Sequence, residues 1–203
     1  MSIRSALSLV ASCALMFLFA QPASSQSSTT RGWSLGFHVQ GASLTVEDGD
    51  ADTGGGAGLR VGYGFNRRFT AFLTADGASI DAVNAPNVTG EWDMAHVDLG
   101  LRFHFANSLS RWIPYLEAAG GARAVSVDEA EVADEVVDLS FSGASFTLGG
   151  GISHYLNETL ALDVNAKFTS GEFTDIDIDN ITVGGLEIDA DSFRFGLGLV
   201  WWP

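Results

Sequence analysis

The stretch HVDLGLRFHF, residues 96–105, decides the fold of this chain. Large apolar residues alternate in it with charged residues, histidine or glycine: Val97, Leu99, Leu101, Phe103 and Phe105 against His96, Asp98, Gly100, Arg102 and His104. A repeat of two residues is the period of a β-strand, because successive side chains point to opposite faces of the sheet. The stretch therefore predicts a strand with one apolar face and one polar face.

The same alternation recurs in seven further segments, near residues 33–40, 58–65, 69–76, 112–126, 146–152, 160–168 and 193–201. The segment at 112–126 is rich in alanine and glycine, and residues 118–139 could also form a helix. The Gly120-Gly121 pair and the acidic residues that follow it favour a strand and a loop. Together the eight segments predict an all-β chain.

The connections between these segments alternate in length. Short ones lie at 66–68, 106–111 and 157–158, and long ones at 47–56, 81–92, 127–141 and 170–191. Short turns at one end and long loops at the other are typical of barrels in bacterial outer membranes, whose short turns face the periplasm. The pattern predicts an eight-stranded antiparallel up-and-down transmembrane β-barrel with both chain ends in the periplasm.

The polar face decides between a membrane barrel and a soluble lipocalin-like barrel, which would show the same period. It contains glycines and isolated charges rather than the mixture of Lys, Glu and Thr of a wetted sheet. Its charged members are Arg60, Arg102, Arg123, Lys167 and Arg194 with Asp76, Asp98, Glu117 and Asp163. Unpaired charge is costly in a confined interior, so this near balance predicts that these residues form ion pairs in the lumen.

The apolar face has the composition of a surface that meets lipid. It carries almost no charge along its centre, the mean hydropathy of the chain is +0.19, and Lys167 is the only lysine. A soluble protein of net charge −15 would normally carry many surface lysines. An aromatic girdle at the membrane interface is predicted near the periplasmic strand ends, formed by Trp33, Tyr63, Phe65, Phe103, Phe105, Trp112, Tyr155 and Trp201.

The first residues have the plan of a secretory signal peptide. Arg4 supplies a positive charge, residues 6–20 are apolar, and small residues offer a cleavage site after Ser25. The sequence therefore predicts a signal peptide at 1–25, a polar leader at 26–31 and an outer-membrane β-barrel domain at 32–203.

An alternative processing route involves Cys13. Residues 10–13 resemble a lipobox, in which Cys13 would be lipidated, although the apolar run continues beyond it. Cys13 is the only cysteine, so the mature chain would have no disulfide in either case.

The carboxy-terminal run RFGLGLVW, residues 194–201, resembles the β-signal read by the outer-membrane assembly machinery. With the run PYLEAAGG at 114–121, the chain from 32 to 203 is similar in pattern to the small OmpA-like/OmpX-like outer-membrane β-barrel family. The resemblance implies location in the cell outer membrane, contact with its lipid and lipopolysaccharide, and recognition of the last strand by that machinery. The chain departs from the pattern by ending in Trp202-Pro203. We expect no periplasmic peptidoglycan-binding domain after the barrel, so the resemblance does not imply anchoring to the cell wall.

No arrangement of residues in the sequence predicts catalysis. Ser153 and His154 are adjacent, so in a strand their side chains point to opposite faces, and they fall near a periplasmic turn. His38, His96 and His104 show no ligand spacing and are expected in the lumen or at an interface. We therefore expect no enzyme, no catalytic residue and no cofactor-binding residue.

The run DIDIDN, residues 175–180, partly resembles a calcium-binding loop. The match fails because Asn180 stands where the loop requires Gly and Leu186 where it requires a bidentate Glu. Aspartates at every second position more simply describe a strand that projects past the membrane with one wet face. No metal site is predicted.

The acidic residues are concentrated in the long connections. These connections and their strand ends carry 20 of the 25 acidic residues, and they contain neither Lys nor Arg. Such a surface could bind divalent cations weakly or attract basic partners, or it could be a set of solvated loops without a partner. Nucleic acid is not an expected partner of this acidic chain.

Eight strands leave an interior that side chains fill, so a wide pore is not expected. We therefore expect an integral outer-membrane protein with a structural or cell-surface interaction role and acidic extracellular loops. Two alternatives remain open. One is an outer-leaflet lipid-modifying enzyme, and the other is a small ion-conducting channel.

Overall fold

A computed structural model describes residues 28–46, 50–81, 91–105, 109–132, 135–178 and 181–203. The predicted signal peptide and Cys13 lie outside these residues. Within the described ranges, no helix is long and apolar enough to cross a membrane.

The chain forms eight antiparallel strands: β1 (Gly32–Val46), β2 (Asp52–Gly64), β3 (Phe69–Asp81), β4 (Glu91–His104), β5 (Trp112–Val132), β6 (Glu135–Tyr155), β7 (Leu160–Ile178) and β8 (Ile181–Trp201). Each strand pairs with its neighbour in sequence, and β8 closes on β1. The predicted eight-stranded up-and-down barrel is confirmed. The turns at 65–68 and 156–159 lie at one end with the first and last described residues, 28 and 203; this is called the turn end here, and the other is the hairpin end.

Side chains alternate between the inside and the outside of the barrel as predicted. Asp98 is 2% exposed, whereas its neighbour Leu99 is 66% exposed. The inner face is tight, which explains its many glycines: a Cβ at Gly58 would lie 2.6 Å from the His38 ring. The barrel therefore has an apolar outer surface and a polar, filled interior.

The strands on one side are longer than the sequence predicts. Residues 127–141 and 170–191 were expected to be loops, but β5 continues to Val132 and β7 to Ile178. Likewise β2 begins at Asp52, inside the predicted loop 47–56. The alternation that marks a strand fades where both faces meet water, although the backbone pairing continues. We call the described residues of 128–138 and 172–189 the projecting wall.

Aromatic side chains surround the turn end, and the predicted girdle is confirmed with one correction. Trp33 packs edge-on against Tyr63 with ring centroids 5.3 Å apart, and Tyr63 packs in the same way against Phe65. Phe103 contacts Phe105 at 5.0 Å. Tyr155 was assigned to the girdle but is 3% exposed and points inward, because its parity on β6 is that of the lumen.

Candidate functional site

The centre of the lumen contains two groups of ion pairs, and the first is built around Glu117. Arg60 donates from its two terminal nitrogens to the two carboxylate oxygens of Glu117, at 2.8 and 3.0 Å. Arg102 approaches the same carboxylate at 2.9 Å through Nη2 and reaches Asp163 at 3.3 Å through Nη1. The Tyr115 hydroxyl also donates to Asp163, at 2.7 Å. This group ties β2, β4, β5 and β7 together across the lumen.

The second group is built around Asp76 of β3. Arg194 Nη1 and Lys167 Nζ donate to its Oδ2 at 2.7 and 2.8 Å, and His38 Nε2 lies 2.9 Å from its Oδ1. The other terminal nitrogen of Arg194 lies 3.5 Å from Asp98. Each of the four buried carboxylates thus faces a cation, which offsets the cost of removing it from water. The predicted pairing of these carboxylates inside the barrel is confirmed.

Arg123 departs from the predicted pairing. Its Nη2 donates to the carbonyl oxygen of Gly171 at 2.5 Å, and its guanidinium carbon lies 4.6 Å from the centre of the Phe173 ring. Among the described residues, no ion pair joins it to the four lumen carboxylates. Arg123 pairs in register with His96, and His96 with Asp76, but that carboxylate is already shared by two other cations.

The turn end of the lumen is closed by an apolar layer. Ile113, Tyr155, Ala161, Val200 and Trp202 form this buried cluster. The Tyr155 hydroxyl donates to the backbone oxygen of Thr29 in the polar leader, and Thr30 Oγ1 donates to the backbone oxygen of Arg67 at 2.9 Å. The residue that follows the predicted terminal aromatic, Trp202, is therefore part of the closure. The sequence pattern had marked it only as a departure.

A second apolar layer closes the hairpin end. Its buried members are Ala42, Leu44, Ala78, Ile80, Met94, Val125, Phe173 and Ala190. Val46, Trp92, Phe141 and Ile188 pack against this cluster. The lumen is therefore a polar layer enclosed between two apolar layers, and sequence reasoning missed this division because it counted only charges on the inner face.

Ser153 and His154 point to opposite faces of β6, as the sequence predicts. Ser153 Oγ donates to Asp163 at 2.7 Å inside the lumen. The His154 ring lies on the outer face, 4.1 Å from the Trp112 ring. Because the strand separates the two side chains, His154 does not act as a base for Ser153 in this arrangement.

The remaining histidines lie in the lumen. His38, His96 and His104 are all buried. One ring nitrogen of His104 is 3.1 Å from Thr70 Oγ1. Among the described residues, no group of three or more His, Cys, Asp or Glu is arranged to hold a metal ion.

The projecting wall presents carboxylates to solvent. Glu172 of β7 and Asp189 of β8 are exposed and lie directly opposite each other in register. Asp175 and Asp177 continue along β7, as expected for a strand with one wet face, while Asp179 lies outside the described residues. Like charges in direct cross-strand pairs repel each other. The wall is therefore a strongly anionic surface.

One edge of the wall has no described strand beside it. The pairing between β1 and β8 ends at Val46 and Ala190, and in the described chain the residues of β8 from 181 to 189 pair with β7 only. Val183 on this edge is 49% exposed. An unpaired strand edge offers backbone N–H and C=O groups to another extended chain.

The sequence matches, over residues 11–200, the family model described as an outer membrane protein beta-barrel domain. This match covers most of the chain and agrees with the resemblance to small outer-membrane barrels. Among curated protein sequences, none matches.

Three solved structures share the fold. They are Neisserial surface protein A (TM-score 0.62, 14% identity, covering 84% of this chain and 96% of that one), OprG from Pseudomonas aeruginosa (0.56, 14%, 86% and 97%) and Ail of Yersinia pestis (0.54, 13%, 85% and 100%). At these identities the likeness concerns the fold alone.

Proposed function

The chain belongs to the outer membrane protein β-barrel domain family and lies in the outer membrane, and we propose that it acts there as a non-enzymatic structural and cell-surface interaction protein. The projecting wall is its interaction surface. The turn end then faces the periplasm and the hairpin end faces the exterior, as in other barrels of this membrane. The observation that carries the proposal is the acidic segment of β8 at residues 181–189, which among the described strands pairs with β7 only.

The closed lumen supports an interaction role over a channel. An ion crossing the barrel would have to displace the Trp202 layer, the central ion pairs and the layer around Met94. Buried ion pairs are costly to break, since the partner left behind remains charged in a confined interior. Each of the three layers therefore opposes conduction.

The negative charge of the wall favours positively charged partners. One Ail structure was solved in complex with the heparin analogue sucrose octasulfate, a polyanion. The wall of this chain presents Glu172, Glu187 and Asp189 as exposed carboxylates, which would repel such a ligand. We therefore assign it basic extended segments as partners, with diffuse binding of divalent cations as a weaker property.

The amino-terminal region and the last strand fit this location. Thr29 and Thr30 contact the periplasmic closure, which supports a mature chain that begins after Ser25 and keeps its polar leader. Phe195, Leu197 and Leu199 line the outer face of β8, where membrane lipid and lipopolysaccharide meet the barrel. The last strand is also the segment that the assembly machinery would recognise. Amino-terminal sequencing of protein purified from membranes tests the cleavage site.

The binding proposal is tested on full-length mature protein in lipid nanodiscs, with a fluorescent oligolysine peptide and a heparin fragment as probes. We expect the peptide to bind and the heparin fragment not to bind. The double substitution Glu172→Gln with Asp189→Asn should weaken peptide binding, whereas Glu158→Gln in a periplasmic turn should not. Preference for the heparin fragment, or equal binding by both variants, would overturn the assignment.

A further inference from the structure

Several buried polar side chains near the apolar layer at the hairpin end have N–H or O–H groups with no hydrogen-bond partner among the described residues. They are Gln40, His96, Arg123, Ser145 and Ser192, each more than nine-tenths buried. Both ring nitrogens of His96, the Nε and Nη1 of Arg123 and the two hydroxyl groups have no hydrogen-bond partner among the described residues. The Nε of Arg194 also has no hydrogen-bond partner among the described residues. Buried polar groups normally have hydrogen-bond partners, so we expect a ligand to bind in this layer.

Arg123, His96 and Ser145 are neighbours in the barrel wall. Arg123 of β5 is the direct cross-strand partner of His96 of β4. The guanidinium group of Arg123 reaches across β6 to the backbone oxygen of Gly171 in β7. Gly171 is in turn the cross-strand partner of Ser145. The three side chains therefore converge on one region of the inner face.

Arg194 and Ser192 approach this region from β8. Ser192 and Thr169 are cross-strand partners, and Thr169 Oγ1 accepts a hydrogen bond from Arg194 Nη2 at 2.6 Å. The positive charges of both Arg123 and Arg194 act on the His96 ring. Two guanidinium groups thus lie near one imidazole, and the neighbouring Asp76 carboxylate is already shared by Arg194 and Lys167.

Among the described side chains buried in the lumen, cations outnumber carboxylates by one. The buried cations are Arg60, Arg102, Arg123, Lys167 and Arg194, and the buried anions are Asp76, Asp98, Glu117 and Asp163. Counting Arg, Lys, Asp and Glu alone, this described set has one formal positive charge in excess. Arg123 carries it, since the other four cations contact the four carboxylates. Asp191 acts on Arg123 electrostatically but is exposed on the outer face of β8.

We infer that this layer binds a small monovalent inorganic anion of the size of chloride, held by Arg123 with Arg194, His96 and the hydroxyls of Ser145 and Ser192. The free groups are mainly N–H and O–H donors, so the layer fits an anion and not a metal cation. The apolar layers at the two ends of the lumen favour a small ion over a large organic one. Water alone would satisfy the donors but would add no negative charge beside the buried guanidinium group of Arg123.

The inference is tested on the mature protein refolded into detergent micelles in sodium chloride or in sodium gluconate of equal ionic strength. Separate refolding is needed because the apolar layers would slow exchange of an enclosed ion. Across samples refolded separately at increasing chloride concentration, the side-chain Nε–H resonances of Arg123 and Arg194 should change in a saturable manner, and those of Arg67 and Arg68 should not change. The thermal midpoint of unfolding should rise with chloride and reach a plateau.

The matched variants are Arg123→Gln and Arg68→Gln, which remove the same charge from the lumen and from an exposed turn. Arg123→Gln should abolish the saturable rise, and Arg68→Gln should retain it. If Arg123→Gln does not fold, the resonance titration of the unmodified protein decides alone. The inference would be overturned if the Arg123 and Arg194 resonances do not respond to chloride, or if the thermal midpoint of Arg123→Gln still rises with chloride to a plateau. Either result would show that the layer holds water only.

Discussion

Arg60 and Glu117 form a two-pronged ion pair across the lumen, with N–O distances of 2.8 and 3.0 Å. The pair joins β2 to β5, which are not neighbours in the barrel. The planar guanidinium group matches the two oxygens of the carboxylate, so it fixes the relative position of the two strands as well as their charges. The interior of this barrel is thus held by directed polar contacts where a soluble protein would use apolar packing.

Glu117→Gln is therefore expected to destabilise the barrel strongly. It removes the anion shared by Arg60 and Arg102 and leaves two buried guanidinium groups with one remaining carboxylate between them. The expected loss in free energy of unfolding is on the order of 3–5 kcal/mol. Urea unfolding of protein refolded into lipid vesicles measures it. Glu158→Gln in an exposed turn is the control, and equal stability of the two variants would refute a role for the ion pairs.

Trp201 and Trp202 are adjacent but should respond differently to substitution. Trp202 is 4% exposed within the periplasmic layer, and Trp201 is 48% exposed on the outer face. Trp202→Ala should cost about 3–5 kcal/mol in unfolding free energy, because it leaves a cavity in a packed layer. Trp201→Ala should cost less in refolded protein and should instead reduce membrane assembly in cells. If Trp202→Ala is no more destabilising than Trp201→Ala in vesicles, the closed periplasmic end is wrong.

The repulsion between Glu172 and Asp189 predicts a stabilising substitution. Asp189→Lys converts a like-charge cross-strand pair into an opposite-charge pair, which should stabilise the wall locally by about 0.2–1 kcal/mol. Backbone amides of β7 and β8 near this pair should exchange with solvent deuterium more slowly. Asp189→Asn, which only removes the repulsion, should give a smaller effect. Exchange that is unchanged or faster in Asp189→Lys would contradict the cross-strand arrangement.

Divalent cations should protect the extracellular region from proteases. Residues 127–141 and 170–191 carry 6 and 7 acidic residues without a basic residue among them. Carboxylate oxygens are preferred ligands of Ca²⁺, so bridging between carboxylates should order this region weakly. Limited proteolysis with and without millimolar Ca²⁺ at matched ionic strength measures the effect. Protection no greater than that by NaCl would mean that the carboxylates are simply solvated.

The alternating pattern was sufficient to predict the barrel and the face of each lumen charge. At Asp98 and Leu99 the two faces differ so much in chemistry that only one orientation avoids burying charge in lipid. The same reasoning identified Arg60, Glu117 and Asp163 as lumen residues before their partners were known. Which cation pairs with which carboxylate depends on the stagger of the strands. The alternating sequence pattern does not determine this stagger.

The features missed from the sequence lie where the membrane no longer constrains the chain. The described residues of the loops predicted at 127–141 and 170–191 are extended strands, since a strand with two wet faces needs no apolar alternation. Tyr155 was placed in the girdle because aromatic residues near strand ends usually face the interface, but its parity places it in the lumen. Arg123 was counted among the paired cations because the sequence gives charge balance and not position.

The central claim is that this protein is a closed surface-interaction barrel and not a channel. Conductance of the purified protein in planar lipid bilayers tests this claim most directly. We expect a current that does not differ from that of protein-free bilayers. The lumen is blocked by the apolar layers around Trp202 and Met94 and by the ion pairs between them. The protein must first be shown to be folded by its mobility on gels without heating, so that an absence of current is not caused by misfolding. Discrete, reproducible conductance steps from such protein would contradict the closed lumen and favour the channel alternative.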